Sequence, residues 1–161
     1  LKREYRSELT DAIDLVVIGG FHGRGRRAGT FGTYLLAAYD SKRRVFTSLA
    51  KVGTGFSDQD LEMLPRLLDP YESRVKPPGV ESNMVPDVWF RPHLVIEVIA
   101  AELTLSPVHT AAMGRIRPGA GISLRFPKYT GKNRDDKAPE DATTVDEIVE
   151  MYQGQVKRVG G

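Results

Sequence analysis

The sequence predicts a mainly β fold: five strands curled into one small barrel, with a helix between strands 3 and 4 and a second helix at the C-terminus. Three observations predict it. Apolar, β-branched runs recur at 13–19, 33–39, 45–52, 94–104 and 121–126, the residue types that a pleated, half-buried surface favours. Two stretches carry helical spacing, and each opens on a capping box. Three strands, a helix and two further strands is the element order of the OB-fold, a five-stranded barrel that commonly binds nucleic acid. At 161 residues a single core is expected, burying about 70% of the surface that the unfolded chain exposes.

Ile13-Asp14-Leu15-Val16-Val17-Ile18-Gly19 opens the barrel, and 33–39 and 45–52 follow as a hairpin across the polar turn Asp40-Ser41-Lys42-Arg43-Arg44. Ser57, with Asp60 three residues on, starts the first helix and sets Leu61, Leu64 and Leu68 on one face. Pro65 is expected to kink that helix, because it lacks an N–H and crowds the preceding turn, and Pro70 to end it. A Pro/Gly-rich connector at 76–79 leads to a long strand at 94–104 and a fifth at 121–126, after which 132–142 reads as polar and irregular. Thr144 and Glu147 make the second capping box of a helix at about 144–157, whose stripe of Val145, Ile148, Val149, Tyr152 and Val156 docks it, leaving Asp146, Glu147 and Glu150 on the other face.

Composition narrows the function. No apolar run approaches the ~20 residues that cross a bilayer, and no basic-then-apolar leader opens the chain, so an intracellular protein with no membrane partner is expected. Zero cysteines exclude disulfides, iron–sulfur clusters and thiolate zinc sites; His22, His93 and His109 are too scattered for ligand spacing, so no metal site is assigned. Two Asn and three Gln beside ten Pro point to a thermophilic source. Leu1 is not an initiator, and the chain reads as a fragment of something longer. Charge is segregated: residues 1–44 hold nine Lys/Arg against five acids and 112–137 seven against two, whereas 57–104 hold nine acids against four bases. Two basic stretches brought together would attract a polyanion in a salt-dependent way; left apart, they are solvated surface.

Three segments carry candidate chemistry. In Gly23-Arg24-Gly25-Arg26-Arg27-Ala28-Gly29 the glycines let backbone approach a phosphate chain and Arg24, Arg26 and Arg27 supply donor forks, with a flexible basic hairpin tip as the lesser reading of the same residues. The spacing matches neither a dinucleotide fingerprint nor a Walker A loop. Arg125-Phe126-Pro127-Lys128 ends a strand; proline stops the ladder there, so Phe126 either projects as an apolar wedge for a minor groove or packs in the core. Arg134 and Lys137 of Arg134-Asp135-Asp136-Lys137 are two cations suited to the β- and γ-phosphates of a nucleoside triphosphate, with Asp136 to orient them, or else a charged turn before a helix.

Taken as spaced blocks in order, these segments resemble the ATP-dependent DNA ligases of the archaeal and eukaryotic replicative type. Leu1-Lys2-Arg3-Glu4-Tyr5 is similar to the tail of the family's motif V; 14–19 and 23–29 to its opening strand and loop; Lys51-Val52-Gly53-Thr54-Gly55-Phe56-Ser57-Asp58, Leu105-Ser106-Pro107 and 122–127 to later blocks; and 134–137 to motif VI. The resemblance implies that residues 1–6 end a nucleotidyltransferase domain and hinge, 7–137 are its OB domain, and 138–161 a C-terminal extension. It implies ATP and Mg2+ bound mainly by the catalytic domain, nicked duplex DNA and that catalytic domain as partners, and a sliding clamp as a further partner it admits. Location follows as archaeal cytoplasm, or a nucleus if the source is eukaryotic.

By the same resemblance Arg134, Asp136 and Lys137 act catalytically in lysine adenylation, with Lys2, Arg134 and Lys137 on the nucleotide. Arg24, Arg26, Arg27, Thr54, Arg125, Phe126 and Lys128 then face the minor groove of nicked DNA. The family's nucleophile sits in a K-x-D-G motif that this chain does not contain, so alone it is not expected to ligate. Asp146, Glu147 and Glu150 are expected either to pair with the catalytic domain or to cap the fold. A stand-alone OB module that coats single strands, and the OB domain of an RNA ligase or capping guanylyltransferase, are the alternatives.

Overall fold

The computed structural model describes residues 11–25 and 29–160, the last four by backbone alone. The expected hinge at 1–6 lies outside them. Among the described residues are ten strands and two α-helices: β1 (Ile13–His22), β2 (Phe31–Asp40), β3 (Val45–Val52), α1 (Asp58–Leu68), β4 (Glu72–Ser73), β5 (Val80–Glu81), β6 (Val88–Phe90), β7 (Val95–Ile99), β8 (Glu102–Ser106), β9 (Gly121–Arg125), β10 (Lys128–Asn133) and α2 (Val145–Gly160). The fold is mainly β, as the sequence predicts.

β1 is the spine. It pairs antiparallel with β2 on one side and with β7 on the other, and β2 continues to β3. Both faces of β1 are covered, which is why its residues read as an almost unbroken apolar run. Ile13, Leu15 and Val17 enter the barrel core with Leu36, Leu49, Ile96, Ile122 and Leu124. Val16 and Ile18 lie in a second cluster with Trp89, Val80 and Ala142, under the 72–94 wing and the chain before α2. A buried Val or Leu in such a cluster stabilises by about 1.5–3 kcal/mol.

The predicted long strand at 94–104 is two. β7 ends at Ile99, the chain turns a corner at Ala100 and Ala101, and β8 pairs with β9 as a separate ladder. A barrel needs such a corner, because a flat strand cannot pair with β1 and β9 at once. The remaining seam is closed by Ala111, whose N–H donates to Ser48 O (2.9 Å) while its carbonyl accepts from Ile122 N (2.8 Å). Gly121 permits this approach: a Cβ there would collide with the His109 carbonyl. The same seam buries Thr47, Ser48, His109 and Thr110 as one polar cluster, with His109 Nδ1 3.3 Å from Ser48 Oγ. Burial, then the charge of Lys51, lowers the His109 pKa from 6.5 to about 4, so the ring is neutral.

Both capping boxes are present. Ser57 Oγ accepts from Asp60 N (3.1 Å) and Asp60 Oδ2 from Ser57 N (3.0 Å); Thr144 and Glu147 exchange the equivalent bonds at 3.2 and 2.9 Å. Leu64 and Leu68 of α1 plug one end of the barrel, and Val145, Ile148 and Val149 of α2 join the same core. α1 runs unbroken through Pro65. The Leu61 carbonyl, which an N–H at position 65 would have engaged, accepts instead from Thr30 Oγ1 at 2.7 Å. No helix among the described residues is long and apolar enough to cross a membrane.

Candidate functional site

The predicted residues form two groups. The first is a corner between β9 and β10. β9 ends at Arg125, and Phe126 takes a left-handed backbone (φ 53°) that few bulky residues adopt. Its ring is 73% exposed, so the core reading of Phe126 does not hold. Arg125 lies over that ring at 5.1 Å and donates to Glu102 Oε2 at 2.9 Å. Lys128 is exposed beside them.

Thr54 braces this corner. Its hydroxyl donates to Pro127 O (2.9 Å) and its carbonyl accepts from Tyr129 N (2.9 Å). Gly55 (φ 95°) makes the contact possible, since a Cβ would collide with the Tyr129 carbonyl. The 53–56 segment then continues toward the other predicted loop. Phe56 stacks on Tyr129 at 4.8 Å and touches Tyr34 at 5.6 Å; Tyr34 touches Phe31 at 5.7 Å, and Phe31 stacks on His22 at 5.6 Å. His22 and Phe31 are the base of the β1–β2 loop, closed by Gly23 N donating to Thr30 O (2.8 Å). Arg24 is exposed on that loop. Lys51, with its Nζ 4.9 Å above the Phe21 ring, adds a cation there that sequence reading misses. Arg26 and Arg27 lie outside the described residues, as does Lys2.

The second group is the 134–137 segment, which β10 carries to the outer face of the sheet. The sequence predicts only the end of β9 and a polar stretch here; Gly131 (φ 94°) and a register shift instead bend β10 so that it pairs with β7 at Lys128, Tyr129 and Asn133. The Tyr129 hydroxyl donates to Asn133 Oδ1 at 2.6 Å, and burial, then Asp60 and Asp135, push its pKa up to about 12, so it stays a donor. Arg134 N donates to Val95 O (2.8 Å), which fixes where the guanidinium starts.

That guanidinium is held on every edge. Nη1 donates to both oxygens of Asp14 (3.2 and 3.1 Å), and Nε and Nη2 donate to Asp136 (both 3.2 Å). Lys137 Nζ donates to Asp14 Oδ2 at 2.7 Å. The hydrogen bond with Asp136 raises the Arg134 pKa, and the same bond lowers that of Asp136. Sequence reading takes Asp14 only as part of a strand. Its signal is available all the same: it is the one charge in the β-branched run of 13–19, a residue type almost never buried unless paired. Glu97, directly opposite Asp14 in the β1–β7 ladder, completes the cluster 3.9 Å from Arg134 Nη1. On the acidic face of α2, Asp146 pairs with Arg115 (3.1 Å) and Lys42 (3.8 Å) and Glu147 caps the helix. Among the described residues no set of His, Asp or Glu is grouped to hold a metal ion.

A curled β-barrel with an exposed aromatic–cation corner and a separate, carboxylate-paired cation cluster defines an OB-type domain. The sequence model of the ATP dependent DNA ligase C terminal region matches residues 27–137, and the chain belongs to that family. It is 56% identical over 156 residues to DNA ligase 2 of Thermofilum pendens and 58% over 157 residues to the DNA ligase of Nitrosopumilus maritimus, matches covering 97% and 98% of this chain. It spans only 26% and 27% of those archaeal proteins, about a quarter of their length. Relatives from thermophilic sources are among the matches. Among solved structures, the ligase domain of M. tuberculosis LigD superposes with a TM-score of 0.61 at 22% identity, over 84% of this chain and 39% of that one, a likeness of fold. Mycobacterial DNA ligase D complexed with ATP and MES gives 0.56 at 26% identity, over 83% and 38%.

Proposed function

We propose that this chain is the OB domain of an ATP-dependent DNA ligase that serves two steps with its two cationic groups. In the first, Arg134 and Lys137, oriented by Asp136, meet the β- and γ-phosphates of ATP as a lysine of the nucleotidyltransferase domain attacks the α-phosphorus; positive charge there stabilises the departing pyrophosphate. Lys2 contacts the AMP phosphate. ATP and Mg2+ are held mainly by that other domain, and the part of this chain is to bring its cations to the leaving group. In the second step the domain turns, about a hinge near Arg3 to Arg6, and lays Arg24, Arg26, Arg27, Arg125, Phe126 and Lys128 on the minor groove of nicked duplex DNA, with Thr54 bracing the corner and Phe126 as the apolar wedge. An intracellular site of action follows from that substrate.

The observation that carries this reading is the convergence of Arg134 and Lys137 on one oxygen of Asp14. Two cations already gathered around a single anionic oxygen have the spacing that one phosphoryl group needs. A single-strand-coating module is less well supported. It calls for several exposed stacking aromatics, and among the described residues Phe126 is the sole aromatic in the set of exposed large apolar side chains.

The test is reconstitution. This chain is mixed with a matching N-terminal portion, ATP, magnesium and nicked duplex. Restored lysine adenylation that disappears with Arg134→Ala or Lys137→Ala is the expected result; restoration indifferent to both removes the 134–137 segment from the mechanism.

A further inference from the structure

Asp14 and Glu97 face each other directly across the β1–β7 ladder, an arrangement of like charges that weakens a sheet unless a cation lies between them. Arg134 Nη1 supplies that cation, 3.1 Å from Asp14 Oδ2 and 3.9 Å from Glu97 Oε2, and Lys137 adds a second on the same Asp14 oxygen. The cluster is neither deep nor open: the side chains of Asp14, Arg134 and Lys137 are 12, 23 and 30% exposed. Both cations can therefore be drawn out by a stronger anion without unfolding the barrel, and the acidic pair left behind pulls them back.

Resting on the function proposed above, we propose that Asp14, supported by Glu97, is a positioning residue that stands in for phosphate: it holds Arg134 and Lys137 at phosphate spacing between turnovers and yields them to the triphosphate of ATP. Binding is then an exchange of one anion for another. Triphosphate presents more oxygens and more charge than one carboxylate, so it wins when the domain closes. Once pyrophosphate has left, the cations return to Asp14 and are withdrawn from the nucleotide side. The carboxylate thus raises the ATP concentration needed for adenylation while keeping the two donors ordered.

The experiment measures single-turnover adenylation against ATP concentration in the complete enzyme carrying this domain, for the parent, Asp14→Asn, Glu97→Gln, Arg134→Ala and Arg134→Ala with Asp14→Asn. Inhibition by tripolyphosphate is measured beside it. Asp14→Asn keeps the size and an acceptor but removes the competing charge. It is expected to lower the KM for ATP and the tripolyphosphate inhibition constant together, by roughly 1.5-fold to fivefold, the range of a partly exposed ion pair, whatever becomes of kcat. Glu97→Gln should shift both the same way by less, and it decides the question if Asp14→Asn does not fold. The KM shift should vanish in the Arg134→Ala background. A KM unchanged or raised in the folded Asn variant, with a loss of kcat that follows thermal stability, overturns the inference and leaves Asp14 a clamp. If Arg134→Ala itself leaves adenylation intact, the function proposed for 134–137 fails instead.

Discussion

The corner at 125–128 and the cluster at 134–137 stand on the two ends of one short strand, and they present positive charge in opposite ways. At the corner, Phe126 is forced outward by a left-handed backbone, Thr54 fixes the turn behind it, and Arg125 shares one exposed carboxylate. At the cluster, each donor edge of Arg134 already has a carboxylate and Lys137 shares one of them. The first is a surface braced by backbone geometry and one hydrogen bond, which under the function proposed above is the one that meets the duplex. The second is charge masked by carboxylates, which under the function proposed above is the one that meets the triphosphate. Preorganisation by backbone and preorganisation by counter-ion are different devices, and both regions build theirs from the same few residue types.

The widest gap between the two should come from Arg134→Ala, which is expected to slow adenylation in the complete enzyme roughly 10²- to 10³-fold and leave the Kd for nicked duplex near that of the parent. Equal losses in both assays would erase the distinction. Acidification probes what the regions share. Because His109 titrates near 4 when folded against an ordinary 6.5, the unfolded chain takes up the proton first. The stabilisation is present in full above about pH 6.5 and is lost as pH falls toward about 4, costing on the order of 2 kcal/mol at about pH 5. Urea titrations across that window should show the loss in the parent and a flatter profile in His109→Asn.

Phe126→Ala should weaken nick binding roughly tenfold without touching adenylation. Phe126→Gly should lose the same affinity while being more stable than the alanine variant by about 1 kcal/mol, because glycine accepts the left-handed backbone freely; if the two variants melt alike, the corner is not strained. Arg24→Ala and Lys128→Ala should each lower the slope of log Kd against log salt by about 0.9 if each neutralises one phosphate. Thr54→Val is the mildest, removing one hydrogen bond for about 1 kcal/mol, and should soften the corner with no effect on the cluster.

Much of this is legible in the residues. β-Branched runs mark the barrel strands, and the pairs Ser57 with Asp60 and Thr144 with Glu147 mark both helix starts, because these signals are local. What the sequence conceals is long-range. The corner at Ala100 and Ala101 exists only because one strand must serve two neighbours. β10 is hidden because Gly131 and its polar neighbours form an edge strand bent by a bulge, with no alternation to read. Asp14 and Arg134 are 120 positions apart, so the motif is visible while its counter-ion is not. Arg24 and Arg125 are exposed as their residue types suggest, whereas the exposure of Phe126 runs against its type and follows from its left-handed backbone, and Thr54 is engaged in supporting the corner.

The proline in α1 has a mechanical consequence. By giving up its N–H, Pro65 leaves the Leu61 carbonyl to the hydroxyl of Thr30, so a defect in one element becomes a rivet to another. Thr30, next to the start of β2, is thereby moored to α1, so that the two elements are tied at that point. Restoring an N–H at 65 with alanine would offer that carbonyl a rival, and the tie between Thr30 and α1 would weaken.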